Sequence, residues 1–392
     1  MSFSAGRPVL AIPGPSPVPD RVLRAMHRPS PDIYGDELTA LNAALMTDLK
    51  RLVGTRHHVA PYIGNGHAAW EAANLNMLAP GDKALVLTAG HFGRAWSEVA
   101  RAIGADVEVI EAAPFTAPDP QALADRLRAD RDHQIRAVLV CQVDTASSVR
   151  ADIPALRAAM GDHPALLAVD AIASLGCEPL MMDDWGIDVL VAASQKGLMV
   201  PPGLALVWFS DKAAAARRKP TPYWDWQPRA TATELWAFWG GTPPVQHLFG
   251  LAEALAMLLD DEGLPAVWAR HEGLAAATWA ALDAWGAGNP AIRAHVADQA
   301  HRSHAVTAAA LPGAQTLRRW TEEKASLTLG IGLGAAEPAD AMRIAHMGHL
   351  SAQGHLGTLA TIEAGMQALG IPHGTGGTAA AAAEIARRCG AA

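Results

Sequence analysis

Two ionisable side chains stand just past the ends of apolar runs, and they suggest what this chain does. Asp188-Val189-Leu190-Val191-Ala192-Ala193 leads into Ser194-Gln195-Lys196-Gly197, and Ala165-Leu166-Leu167-Ala168-Val169 ends on Asp170. Short, continuous apolar runs read as buried strands, and open α/β folds bind ligands beyond the carboxyl ends of their strands. An amine and a carboxylate brought to one sheet edge suit pyridoxal phosphate. Its aldehyde needs a lysine amine for imine formation, and its ring nitrogen needs a carboxylate to remain protonated and electron-withdrawing. Taken singly, Lys196 also fits a solvated loop and Asp170 a helix cap or turn.

Further residues fit the same cofactor. Gly64-Asn65-Gly66-His67 precedes Ala68-Ala69-Trp70-Glu71, which has helical pattern. Unpaired N–H groups and the positive end of the dipole at such a helix start favour a phosphate, and Asn65 and His67 add side-chain donors. A plain glycine loop before a helix is the alternative. Phe92 follows the apolar run Lys83 to Leu87, so its ring reaches the same edge and can stack on a planar ligand, although core packing is the commoner fate of phenylalanine. Thr145, beyond the run Ala137 to Cys141, offers a hydroxyl to a ring oxygen, or simply forms a turn.

The elements that position these residues are legible as alternating patterns. Residues 7 to 20 hold five prolines and read as an extended arm. Between about 37 and 260, β-like runs at Lys83–Leu87, Asp106–Ile110, Ala137–Cys141, Ala165–Val169, Asp188–Ala192 and Leu204–Phe209 alternate with helix-sized segments. That alternation predicts an α/β fold with a mostly parallel sheet covered by helices on both faces. Beyond a tryptophan-, glycine- and proline-rich break at 224–244, two long helices are expected over Val245–Asp260 and Pro265–Trp285, then a smaller α/β domain containing the β-like run Ser326–Gly330. The expected division is an arm at 1–20, a large cofactor domain at 21–261 and a small C-terminal domain at 262–392. The alanine run 379–383 reads as plain helix.

Composition excludes several function classes. With 392 residues, half of them hydrophobic and 18% charged, the chain can bury a large core. A net charge of −8 argues against general nucleic-acid affinity, and no apolar run approaches bilayer-spanning length. The first fifteen residues lack a basic start and an apolar core, and the three cysteines form no C-x-x-C pair, so a cytoplasmic protein is expected. Sixteen histidines show no H-E-x-x-H or comparable spacing, and no metal is expected.

Taken together, Pro13-Gly14-Pro15, Gly64-Asn65-Gly66-His67, Asp170-Ala171-Ile172-Ala173-Ser174, Ser194-Gln195-Lys196-Gly197, Pro201-Pro202-Gly203 and Arg343-Ile344-Ala345-His346-Met347-Gly348 resemble the ordered motifs of class V aminotransferases. The resemblance covers nearly the whole chain and is nearest to the alanine–glyoxylate and serine–glyoxylate members. It implies the fold-type I architecture of pyridoxal-phosphate enzymes, with a seven-stranded-type sheet, and a homodimer with shared sites. It implies Lys196 as Schiff-base lysine, Asp170 on the pyridine nitrogen, Phe92 and Ile172 on the two ring faces, and Asn65, Gly66, His67 and Gln195 at the phosphate. Thr145 falls near the ring hydroxyl, Trp239 and Thr242 reach the neighbouring subunit's phosphate, and Arg343 grips the substrate α-carboxylate, a task its paired N–H groups suit.

Four positions depart from the family pattern: Trp239 replaces tyrosine or phenylalanine, Asp144 glutamate, and Ser148 and Ala345 glycine. These bear on substrate more than on reaction class. The expected activity is ping-pong transfer of an amino group from serine or alanine to glyoxylate or pyruvate. Transaminases of pyridoxamine–pyruvate or aspartate–glyoxylate type, a lyase on the same fold, and a catalytically silent binding relative are the alternatives. A desulfurase would need a cysteine near Arg343, and none lies between Cys177 and Cys389.

Overall fold

The structure, a computed structural model, describes residues 2–390. Its larger sheet has seven strands in the order His58–Gly64, Gly203–Phe209, Val189–Ala193, Leu166–Asp170, Ile135–Cys141, Lys83–Thr88, Asp106–Glu111. Six run parallel to one another, and Gly203–Phe209 is antiparallel to both its neighbours. Alternation along each strand feeds two cores. Leu85, Leu87, Val138, Val140, Leu167 and Val169 enter one, while Ala84, Val86, Ala137, Leu139, Leu166 and Ala168 enter the other. Strands buried on both faces explain why the sequence shows continuous apolar runs rather than polar alternation.

All six runs read as strands in the sequence are strands here. The seventh, His58–Gly64, does not read as a strand in the sequence because Pro61 sits in its middle, and proline is excluded from central strands. This one lies at the sheet edge, where that exclusion does not hold.

The second sheet has five strands in the order Val9–Ala11, Leu327–Ile331, Ala341–Ala345, Val306–Ala310, Arg293–Ala294. Val-Thr-Ala-Ala-Ala and Ala-Met-Arg-Ile-Ala carry the alanines of a helix former, yet both are strands. Burial between Leu282, Trp285, Leu317, Ile362 and their neighbours overrides that propensity. The proline-rich arm contributes an edge strand to this sheet through Val9–Ala11, which pairs in parallel with Leu327–Leu329. It then returns to the larger sheet, where Ser16 N–H donates to the Gln195 carbonyl at 2.9 Å and Ser16 Oγ to the Lys196 carbonyl at 2.6 Å.

Helix Val245–Ala256 runs into a π-helical turn at Met257–Asp261, and the 25-residue helix Leu264–Gly288 follows. Arg270 on that helix pairs with Glu262 and donates to the Gly348 and Leu350 carbonyls, which ties the helix to the segment leaving the Arg343 strand. Helix Gly377–Cys389 contains the alanine run.

At the amino-terminal end of the central strands, buried Asp188 accepts from Leu167 N–H at 3.0 Å, Ser210 Oγ at 3.1 Å and Lys212 Nζ at 3.1 Å. Asp188→Ala leaves the buried Leu167 N–H without an acceptor and is expected to cost about 2 to 3 kcal/mol. Urea denaturation measures this; an unchanged midpoint would show that the cluster contributes nothing.

Candidate active site

Because the parallel strands share a direction, their carboxyl ends open on one side, and a cavity of about 330 Å³ lies there. Asn65, Gly66, His67, Phe92, Thr145, Asp170, Ile172, Gln195 and Lys196 line it, together with Gly14, Pro15, Trp70, Val143, Ala173 and Pro202. Nine of the predicted site residues therefore meet in one place.

Lys196 sits on a turn fixed from within. Ser194 Oγ donates to the Pro201 carbonyl and accepts from Leu204 N–H, and Met199 N–H returns to the Lys196 carbonyl. Gly197 packs so closely on the Leu175 carbonyl that a Cβ there would collide with it. The Lys196 ammonium donates to the Pro13 carbonyl, a contact supplied by the returning arm. Burial lowers the Lys196 pKa to about 8; the nearby Arg343 charge adds to the lowering and Asp170 opposes it.

Asp170 ends the neighbouring strand. Its Oδ1 accepts from Ile172 N–H at 2.6 Å, and its Oδ2 accepts from Trp70 Nε1 at 3.0 Å and from the Cys141 thiol at 3.5 Å. Burial raises its pKa to about 6, with these three donors opposing the rise. Trp70 and Cys141 were not singled out from the sequence. The available clue was spacing, since Trp70 lies three residues after His67 on one helix face, where the two rings meet edge-on at 4.7 Å.

Helix Gly66–Met77 begins at the cavity wall, capped by Asn65 Oδ1 accepting from His67 N–H at 3.1 Å. Gly66 faces Ile172 so closely that a Cβ would lie 2.6 Å from Ile172 Cδ1. The Gln195 side-chain oxygen is buried without a partner, so a polar group is left for a ligand to satisfy. Amine, carboxylate, helix N-terminus and unsatisfied amide together fit pyridoxal phosphate: Lys196 for the aldehyde carbon, Asp170 for the ring nitrogen, the 65–67 turn and Gln195 for the phosphate, and Phe92 and Ile172 for the ring.

Three predicted residues lie outside the cavity lining. Arg343, on the strand Ala341–Ala345, stands just behind it, with Nε on the Ile331 carbonyl at 2.8 Å and Nη1 on the Thr145 carbonyl at 3.0 Å. Burial lowers its pKa to about 10, opposed by Asp144. Thr242 is exposed in a separate surface groove beside Tyr34 and Trp236. Trp239 corrects the expectation: its indole is buried in its own subunit's core and donates to Asn42 Oδ1 at 3.0 Å, so its one donor is not available to a phosphate.

The departures at 148 and 345 have physical readings. Ser148 has φ +60°, a conformation that favours glycine, and its Oγ accepts from the buried Ala308 N–H at 3.1 Å, which offsets the strain. Ala345 is an ordinary buried strand residue paired with Val306.

The Aminotransferase class-V family profile matches residues 9–330. The serine–glyoxylate aminotransferase of Methylorubrum extorquens is 35% identical, covering 97% of this chain and 96% of its own. The L-aspartate–glyoxylate aminotransferase of Paracoccus denitrificans is 36% identical over the same shares. Among solved structures, pyridoxamine–pyruvate aminotransferase from Mesorhizobium loti superposes with a TM-score of 0.88 at 27% identity, covering 99% of this chain and 100% of its own. The chain therefore belongs to the class-V aminotransferases. It is a fold-type I, pyridoxal-phosphate-dependent aminotransferase.

In the cofactor-free protein, Lys196 is mostly ammonium below its lowered pKa and becomes nucleophilic above it. The rate of Lys196 acylation, followed by peptide mass spectrometry, should rise through about pH 8. A midpoint at the ordinary lysine value of about 10.4 would show a hydrated amine.

Proposed function

We propose that the protein transfers an amino group from a small, uncharged-side-chain donor, serine or alanine, to glyoxylate or pyruvate by a ping-pong cycle at Lys196. The observation that carries this reading is the half-buried amine of Lys196 sharing one cavity with the buried carboxylate of Asp170. Bound pyridoxal phosphate supplies the carbonyl carbon that exchanges amines and the electron sink that acidifies the donor Cα–H. Lys196 Nζ, with its lowered pKa, takes the proton from the donor Cα and returns it as acid on the same face. Asp170 holds the ring-nitrogen proton through an oxygen that Trp70 and Cys141 orient. Arg343, its plane fixed by the Thr145 and Ile331 carbonyls, orients the substrate carboxylate.

Donor choice rests on the surroundings of the cavity: its wall holds no lysine or arginine besides Lys196, and Arg343 behind it is given to the α-carboxylate, so no second arginine there addresses a side-chain carboxylate. The similarity to a serine–glyoxylate enzyme supports the same reading. Aspartate is the second reading, favoured by the 36% identical aspartate–glyoxylate relative. A homodimer is part of the proposal, supported by Tyr34 and Trp236, large side chains left exposed around the groove that holds Thr242. Thr242 of each subunit would then face the other's phosphate.

The experiment is visible absorbance of the purified, cofactor-loaded protein. L-Serine, L-alanine, L-aspartate or pyridoxamine is added singly without keto acid, then glyoxylate or pyruvate. Bleaching by serine or alanine and recovery with the keto acid are expected; bleaching by aspartate alone transfers the assignment to the second reading. Lys196→Ala should lower kcat by about a thousandfold or more. Arg343→Ala should raise the KM for carboxylate substrates by about ten- to a hundredfold with the cofactor still bound. An unchanged KM would remove the role given to Arg343.

A further inference from the structure

We propose that Asp144 is a positioning residue that sets Phe92, Thr145 and Arg343 relative to one another, and so couples the cofactor's fit to that of the substrate carboxylate. The inference rests on the roles given above to those three side chains. Asp144 follows the central strand Ile135–Cys141 and is 1% exposed. Its Oδ2 accepts from Phe92 N–H at 2.7 Å and Gly93 N–H at 3.2 Å. These are first-turn amides of the helix His91–Ala102, whose own N-cap residue, Gly90, has no side chain to cap them. The other oxygen, Oδ1, accepts from Ala146 N–H at 2.9 Å and Ser147 N–H at 3.4 Å, and the Asp144 carbonyl accepts from Ser148 N–H at 2.8 Å.

One carboxylate thus closes the turn that carries Thr145 and caps, from 52 residues away, the helix that carries Phe92. The third link is through the turn itself, because the Thr145 carbonyl holds Arg343 Nη1 at 3.0 Å. Asp144 also opposes the burial-driven loss of charge on Arg343. Gly90 keeps the space clear, since a Cβ there would lie 2.5 Å from Asp144 Cγ. Both oxygens receive N–H donors, so an amide of the same shape is not equivalent. Whichever way it turns, its NH2 faces two donors and cannot accept from them.

The test uses Asp144→Asn and Gly90→Ala, the second of which displaces the carboxylate without removing its charge. Two constants are measured: the Kd of the cofactor-free protein for pyridoxal phosphate, by tryptophan fluorescence quenching, and the KM for glyoxylate at saturating cofactor. Both variants should raise both constants by about tenfold. Phe92→Ala should raise the Kd alone and Arg343→Ala the KM alone. Asp188→Ala, which breaks a comparable buried cluster at the far end of the sheet, should lower stability and move neither.

Folded Asp144→Asn or Gly90→Ala protein with both constants within about twofold of wild type would overturn the inference. So would Asp188→Ala moving them equally, since that is the behaviour of a general scaffold effect. If Asp144→Asn does not fold, Gly90→Ala is decided on the same outcomes. Wild-type protein that does not bind pyridoxal phosphate overturns the cofactor reading and this inference with it, whereas normal binding by wild type and variants alike overturns the inference alone.

Discussion

Everything at the site depends on keeping a carboxylate charged inside a sheet. Asp170 ends a strand flanked on both sides by parallel neighbours, and burial pushes its pKa up to about 6. Left alone, such a group would take up a proton rather than stay ionised. The indole of Trp70, the thiol of Cys141 and the Ile172 amide hold the charge down, and each comes from a different element. The ring nitrogen of a bound cofactor would add a fourth donor. The packing of helix Gly66–Met77 on the sheet is therefore an electrostatic requirement as much as a hydrophobic one, since it delivers Trp70 to the back of the carboxylate while its N-terminus faces the cavity.

Lys196 is the complementary case. Burial removes the hydration that keeps an ordinary lysine protonated, and Arg343 adds repulsion. The same enclosure that costs Asp170 its ease of ionisation frees the lysine's lone pair. One cavity thus produces opposite shifts, of which the lysine's favours the free amine while the carboxylate's is opposed by its three donors. Asp170 ends one strand and Lys196 sits on the turn just beyond the adjacent one.

The large sheet and its cavity were legible because strands buried on both faces write long apolar runs, and because the ionisable residues fall directly after them. The second sheet was mostly illegible. Its strands at 306–310 and 341–345 are short and rich in alanine, and only contacts made by residues far along the chain turn them into strands. Trp239 shows the limit of motif matching. Its position in Trp239-Gly240-Gly241-Thr242 resembled a phosphate contact, but a larger ring than the usual phenol finds Asn42 in the core. Asp144 was noted only as a departure from a pattern, since spacing along a sequence does not display which amides a carboxylate will meet.

The threading of the arm has a consequence for synthesis. Val9–Ala11 leaves the ribosome well before its strand partner Leu327–Leu329, which follows about three hundred residues later, about fifteen seconds to a minute at ordinary elongation rates. Through that interval Pro13 and Ser16 have the Lys196 turn to rest on only after residue 196 has emerged, and the second sheet closes last. The residues of the cavity wall have all been made by residue 202, but the arm finds its strand partner, and Arg343 takes its place behind the wall, only once the strands 327–331 and 341–345 have emerged.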